Sequence, residues 1–155
     1  MRTIVPFIAL VLAATQTSSP APPALVKLRA VPFTDVKIAD SFWLPRQETN
    51  RVASLPVNLE NLEKAGNLED LRLAAQRATN GFRGPVFMDS DLYKALEAAS
   101  YSLAIHPDPV LEKQLDENIA TLAAAQQPDG YLNSYFTVKE PTKRWTNLRD
   151  WHELY

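Results

Sequence analysis

Two apolar stripes separated by a three-residue loop limit this chain to a small set of folds. Leu92, Leu96, Ala99 and Leu103 follow one another at spacings of four, three and four residues, the period of one helix face. Ser90 or Asp91 can cap that helix, which runs to about Ile105 before Pro107 stops it. Asp108 then caps a second helix with Pro109 at its first position. Leu111, Leu115, Ile119 and Leu122 carry the same stripe until Pro128-Asp129-Gly130 ends it. The connection His106-Pro107-Asp108 is so short that the two helices must turn back on each other as an antiparallel αα-hairpin. An all-α architecture follows.

The chain upstream reads as helical from Asp40 onward. Pro45 suits a first helical turn, and Pro56 ends or kinks whatever runs through Glu48 to Leu55. Val57 to Lys64 is a short helix closed by Gly66, and Leu68 to Thr79 is a third helix ended by Asn80-Gly81. Before these, Leu25 to Ile38 carries β-branched and aromatic residues in partial alternation, and Pro32 limits it to an edge strand or an extended segment. Past Gly130 the chain reads as irregular and rich in aromatics: Tyr131, Tyr135, Phe136, Trp145 and Trp151. A loop of that length is either functional or a lid folded over the helix ends.

At the other end, Arg2 precedes the apolar run Ile4 to Ala14, with small and polar residues after it. The run is shorter than the roughly 20 apolar residues needed to span a bilayer and reads as a secretory signal peptide. Cleavage is expected between Thr15 and Ala24, and the Pro-rich run Gln16 to Ala24 forms neither helix nor ladder. The expected organisation is a signal peptide over 1–21, a linker and extended segment over 22–39, and a helical domain over 40–155. The mature protein is then secreted or periplasmic, with no membrane contact after signal cleavage. Sixteen Lys and Arg against eighteen Asp and Glu give a formal charge of −2, which offers no positive field for nucleic acid.

Sites for chemistry are few. The sequence has no nucleophile elbow, phosphate loop, H-E-x-x-H or Gly-rich dinucleotide turn. It has no cysteine, and its two histidines are His106 and His152. Three groups remain, each with two readings. Asp89-Ser90-Asp91 either points carboxylates into a pocket or caps a helix. Gln126-Gln127-Pro128-Asp129-Gly130-Tyr131 either presents amide, carboxylate and aromatic groups to a polyol or is simply a turn. His152, between Trp151 and Glu153 and close to Tyr155, either hydrogen-bonds a sugar hydroxyl or caps a helix.

Taken in order, several of these motifs resemble one family. Phe87-Met88-Asp89-Ser90-Asp91-Leu92-Tyr93-Lys94, Leu96-Glu97-Ala98-Ala99, Ala125 to Asn133, Arg144-Trp145 and His152-Glu153-Leu154-Tyr155 are similar to the amino-terminal part of the β-L-arabinofuranosidases of glycoside hydrolase family 127. The resemblance runs from about Val31 to Tyr155. It implies an (α/α)6 toroid, here incomplete, built of antiparallel hairpins after an extended amino-terminal segment. It further implies a retaining exo-hydrolase acting on arabinose-containing glycans, with a cysteine nucleophile held in a zinc site of cysteines and a glutamate, and a second glutamate as general acid/base.

None of that machinery maps onto these residues, so this chain is expected to hold no catalytic residue and to bind no zinc. His152 matches a family histidine that contacts arabinose. Asp89, Asp91, Gln127, Asp129 and Tyr131 match motifs without an assigned individual role and are grouped with it as substrate-binding. Trp151 to Tyr155 looks like the opening of another helix, so the chain is expected to be a fragment and inactive by itself. The alternative is a non-catalytic helical module that binds a glycan or a protein. The oligomeric state stays open.

Overall fold

The computed structural model describes residues 28–151 and Glu153. The expected signal peptide, its cleavage site and the first part of the linker lie outside the described residues, as do His152, Leu154 and Tyr155. The chain divides into a unit Met1–Val31 and a unit Pro32–Tyr155. Of the first, the described residues Leu28 to Val31 are exposed and have no regular structure.

The second unit is helical, with no β-strand among the described residues. Over its described residues, 28–38, the segment does not take the edge-strand option. Pro32 instead accepts a hydrogen bond from Asp35 N–H at 2.9 Å and opens a 3-10 turn over Phe33–Asp35. Asp40 Oδ1 receives the backbone N–H groups of Phe42 and Trp43, which caps α1 (Trp43–Thr49). Pro56, expected to end or kink a helix, does not end the helical path. The backbone stays right-handed through a π-helical stretch, Asn50–Ser54, into α2 (Leu55–Ala65). Proline lacks an N–H and its ring crowds the carbonyl four residues back, and a widened turn just ahead of Pro56 relieves both problems.

Gly66 closes α2 with φ 101°, a left-handed conformation that costs glycine little, and α3 (Asn67–Ala75) starts at once. Helix α3 ends at Ala75, four residues before the expected Thr79. Arg77 takes the left-handed position at φ 56°, and Ala78 N–H and Arg77 N–H return to Leu73 O and Ala74 O at 3.0 and 3.1 Å. This pair of reverse bonds satisfies the last carbonyls without a glycine. The Asn80-Gly81 pair belongs to the loop beyond.

The expected hairpin forms from α4 (Met88–Ile105) and α5 (Pro109–Ala125). Asp108 caps α5 by accepting from Val110 N–H at 3.0 Å and Leu111 N–H at 3.2 Å, with Pro109 at the first helical position. At α4 the expectation is corrected: the helix starts at Met88, and neither Ser90 nor Asp91 caps it. Leu92, Leu96 and Ala99 are buried as their spacing requires. On α5 the buried line runs through Leu115, Asn118 and Ala125, with Leu111 and Leu122 half-buried, and Ile119 is 51% exposed. Steps of three and four from Leu115 reach Asn118, Leu122 and Ala125, which leaves Ile119 on the rim of the stripe.

Helix α3 packs against α2, α4 and α5, and its Leu68, Leu71 and Ala74 meet Leu55, Leu59, Leu92, Leu96 and Leu115 in the core. Each such leucine contributes about 1.5–3 kcal/mol by leaving water. The stretch past Gly130, expected to be irregular, holds a further helix, α6 (Ser134–Val138), and a 3-10 turn, Pro141–Lys143. Asn133 caps α6 by accepting Phe136 N–H at 3.0 Å, and Phe136 and Val138 are buried. Val138 in the core and the buried ring of Phe136 tie this stretch down.

Phe42, Trp43, Leu44, Val52 and Val57 are large apolar side chains left exposed along the α1–α2 rod. Surface of that kind favours association. Expressed alone, residues 28–155 should bind a hydrophobic dye, associate with rising concentration and melt over a broad range. A sharp, reversible melt of a monomer in calorimetry and sedimentation would overturn this.

Candidate functional site

Three loops gather at the end of the molecule where α3 and α5 finish and α4 begins. Each is held by a buried carboxylate. Asp89, in the first turn of α4, accepts Ser134 N–H at 2.6 Å and also the Ser134 hydroxyl. It joins the start of α4 to the start of α6, which is why it does not cap its own helix. Asp70, on α3, accepts Arg83 N–H at 2.9 Å in the loop before α4. Glu153 accepts Trp145 N–H with both oxygens, at 2.8 and 2.9 Å, and the Tyr131 hydroxyl at 2.6 Å.

These groups share a poorly solvated interior. Burial raises the Asp70 pKa to about 6, against the pull of the Arg83 N–H, and the Asp89 charge pushes it the same way. Its Oδ2 is buried with no hydrogen-bond partner in the protein. Burial also raises the Asp89 pKa, opposed by the two bonds from Ser134. The Tyr93 hydroxyl is buried without a partner, and burial with the nearby Asp89 charge holds it protonated. Tyr131 is held protonated by burial and by its bond to Glu153. Beneath them, Asn67 Nδ2 donates to Met88 O at 2.6 Å and fastens α3 to the opening of α4.

The turn after α5 is the most polar part of this end. Gly130, at φ 86°, donates to Gln127 O at 2.8 Å, and Gln127 N–H donates to Tyr131 O at 2.8 Å. Asp129 Oδ1 accepts Tyr131 N–H at 3.1 Å, while Oδ2 pairs with Arg144 at 3.2 Å. Gln127 Oε1 accepts from Arg77 at 3.2 Å, and its amide donates to Ala125 O at 2.7 Å. The Arg144 guanidinium lies 4.0 Å above the Tyr131 ring. Phe136 and Trp151 stack at 5.6 Å between centroids.

The structure thus gathers Gln127, Asp129 and Tyr131 into one turn and adds Arg77, Arg144 and Glu153 around them. Asp89 reaches the same end through Ser134, which donates to both its oxygens, and so positions α6. Asp91 lies apart. It pairs with Lys94 at 3.4 Å and lines a groove of about 440 Å³ between α2 and α4, together with Asn50, Asn58, Asn61 and Asn67. Residues two apart on a helix point to different sides, and this separates the two aspartates. His152 lies outside the described residues.

Sequence reasoning missed Asp70, Ser134 and Glu153 as organising groups. The one usable signal was Asn133 three residues before Phe136, an N-cap spacing that announces α6 and hence a fixed Ser134. Among the described residues no three His, Cys, Asp or Glu come together where a metal ion could sit.

Comparisons with known proteins agree with this architecture. Residues 35–155 match the family described as β-L-arabinofuranosidase, GH127 catalytic domain. The non-reducing end β-L-arabinofuranosidase of Bifidobacterium longum subsp. longum is 40% identical over 96 residues, covering 59% of this chain and 15% of that protein. The crystal structure of Ara127N, a GH127 β-L-arabinofuranosidase from Geobacillus stearothermophilus T6, superposes with a TM-score of 0.73 at 46% identity. That match covers 77% of this chain and 20% of the other. A second GH127 β-arabinofuranosidase, BT3674, gives a TM-score of 0.75 at 36% identity, over 81% of this chain and 21% of its own. The chain belongs to the GH127 β-L-arabinofuranosidase family, and its helices form part of an α/α toroid. It spans about a fifth or less of the length of these relatives.

The raised Asp70 pKa has a definite pH consequence. Between about pH 4 and 6 the folded state keeps a proton that the unfolded chain has released, so this group's contribution to stability falls as pH rises through that window. Asp70→Asn keeps an acceptor for Arg83 N–H and removes the titration. In a relative-length protein carrying this chain, the stability of the variant relative to wild type should rise by on the order of 1–3 kcal/mol from pH 4 to pH 7. Urea melts at the two pH values check it, and parallel pH profiles would refute it.

Proposed function

We propose that this chain is the amino-terminal part of an exported, retaining β-L-arabinofuranosidase that releases terminal β-L-arabinofuranose from arabinose-containing glycans. The observation that carries this reading is the family match, continuous from residue 35 to residue 155, with 46% identity to one solved β-L-arabinofuranosidase. The apolar run Ile4 to Ala14 supports export.

The zinc centre and cysteine nucleophile implied by the family do not fit the residues present. The chain has no cysteine, and the described residues bring no metal-binding group of three together. What this part of the chain supplies is a wall of the sugar site. In the proposed role His152 donates to or accepts from a furanose hydroxyl, since a neutral imidazole has one nitrogen for each. The turn of Gln127, Asp129 and Tyr131 lends polar groups nearby, and Asp89 keeps the adjoining helix α6 in place.

A relative-length protein carrying this chain should release arabinose from an aryl β-L-arabinofuranoside, while residues 22–155 alone should release none and retain no zinc after dialysis. Turnover by the short chain would refute its assignment as a non-catalytic part. An inert long protein that nonetheless binds arabinan would favour the glycan-binding module instead. In the active protein, His152→Ala should lower kcat/KM by roughly 5- to 150-fold with little change in Tm, the cost of one unpaired hydroxyl. Unchanged kinetics, or simple unfolding, would assign His152 to helix capping.

A further inference from the structure

Two non-glycine residues among those described have positive φ, Arg77 at 56° and Trp145 at 65°. The left-handed region is costly for any side chain with a Cβ, and a bulky aromatic is rare there. At Arg77 the conformation ends α3 with two reverse hydrogen bonds, and the side chain goes on to bind Gln127. At Trp145 the backbone gain is the bond of its N–H to Glu153, which any residue with an N–H makes equally well. The indole gains little by burial, because Trp145 is 58% exposed. Among the described residues, then, neither backbone nor core requires a tryptophan here.

The ring is nevertheless held in one orientation. It meets Tyr131 edge to face, centroids 5.1 Å apart at 83°, a contact that covers at most one indole face. Tyr131 is in turn fixed from behind by its hydroxyl bond to Glu153 and from above by Arg144. The rings of Tyr131, Tyr135, Phe82 and Trp151 each carry a lysine or arginine over them, whereas among the described residues no cation lies over Trp145. The next residue in sequence, Arg144, lies over the same Tyr131 ring that Trp145 meets and pairs with the exposed carboxylate of Asp129 at 3.2 Å. An open, pre-oriented aromatic face with a polar fringe is the surface on which the C–H face of a sugar ring stacks while its hydroxyls reach polar neighbours.

We propose that Trp145 is a stacking platform for a saccharide ring beyond the one released, a second sugar subsite whose aromatic floor is supplied by this chain. The inference rests on the glycosidase reading above. Trp145 sets preference for longer glycans, and Glu153 is the positioning residue that holds it.

The test uses the relative-length protein and compares methyl β-L-arabinofuranoside, which has one ring, with a β-linked arabinose oligosaccharide. Trp145→Gly and Trp145→Asn suit the left-handed backbone better than tryptophan, so Tm should hold or rise. KM for the oligosaccharide should rise roughly 5- to 30-fold, with the methyl glycoside unaffected, and Trp145→Phe should recover most of the loss. Equal losses on both substrates, no loss on either, or a fall in Tm would overturn the platform. If wild type cleaves neither substrate, the glycosidase reading fails on its own, and titration calorimetry with arabino- and xylo-oligosaccharides decides the platform. Binding by wild type that is lost in Trp145→Gly upholds it, and equal or absent binding overturns it.

Discussion

A loop that covers the end of a helical bundle leaves backbone N–H groups without the partners a helix provides, and in a dry interior each such group is costly. Here three carboxylates meet that need. Asp70 takes Arg83 N–H before α4, Asp89 takes Ser134 N–H at the start of α6, and Glu153 takes Trp145 N–H in the last described turn. They act as acceptors for loop backbone and not as partners of cations. Charged acceptors make shorter and stronger bonds than carbonyls, so one residue can fix a loop that has no regular structure of its own. The cost is evident at Asp70 and Asp89, which are pushed toward their protonated forms by burial and, at Asp70, by the other's charge.

The apolar core explains why that arrangement holds. Leu71, Leu92 and Val138 are buried together in the core, and α6 enters it through Val138, while Phe136 is buried with Trp151 stacked on it. With α6 seated, Ser134 is presented to Asp89, and Tyr131, three residues before Ser134, is delivered to Glu153. Packing supplies the energy and the carboxylates supply the register. Loss of the Asp89 carboxylate would leave the Ser134 N–H and hydroxyl unpaired in the interior, which costs more than the bonds themselves contribute.

How much of this is legible in the sequence depends on the range of each interaction. Local devices are readable: the Asp108 cap, Gly66 as a helix end, and the Leu92-Leu96-Ala99 stripe depend on neighbours within four residues. Two local devices still escape a sequence reading. A π-helical turn absorbs Pro56 where a break is an equally good guess, and Arg77 ends α3 in a conformation usually given to glycine. The site itself is non-local. Asp89 and Ser134 are 45 residues apart, and Tyr131 and Glu153 are 22 apart. No periodicity links them, so helix capping by Asp89 is as good a guess as any. The resemblance points to the right family, but not to which atoms in its motifs meet.

Among the described aromatic residues past Gly130, Phe136 is buried, Tyr131, Tyr135 and Trp151 lie under cations, and Trp145 does neither. Lys139 lies over Phe82 and Tyr135, Lys143 over Trp151 and Arg144 over Tyr131, at 4.0 to 5.7 Å from the ring centroids. Each pair shields an aromatic face with the stem and head of a long side chain, which lets a stretch with many rings lie near the surface without becoming sticky. The three basic residues fall within six positions of one another, so the pattern comes from one short piece of chain wrapped over the end of α5 and α6. Trp145 comes directly after Arg144 and breaks the pattern, since Arg144 turns to Tyr131 and Asp129. The left-handed backbone at Trp145 is what lets adjacent side chains diverge in this way, the arginine inward over a ring and the indole outward. Trp145 thus leaves its ring open at the expense of a strained backbone, which is the arrangement the saccharide platform proposed above requires.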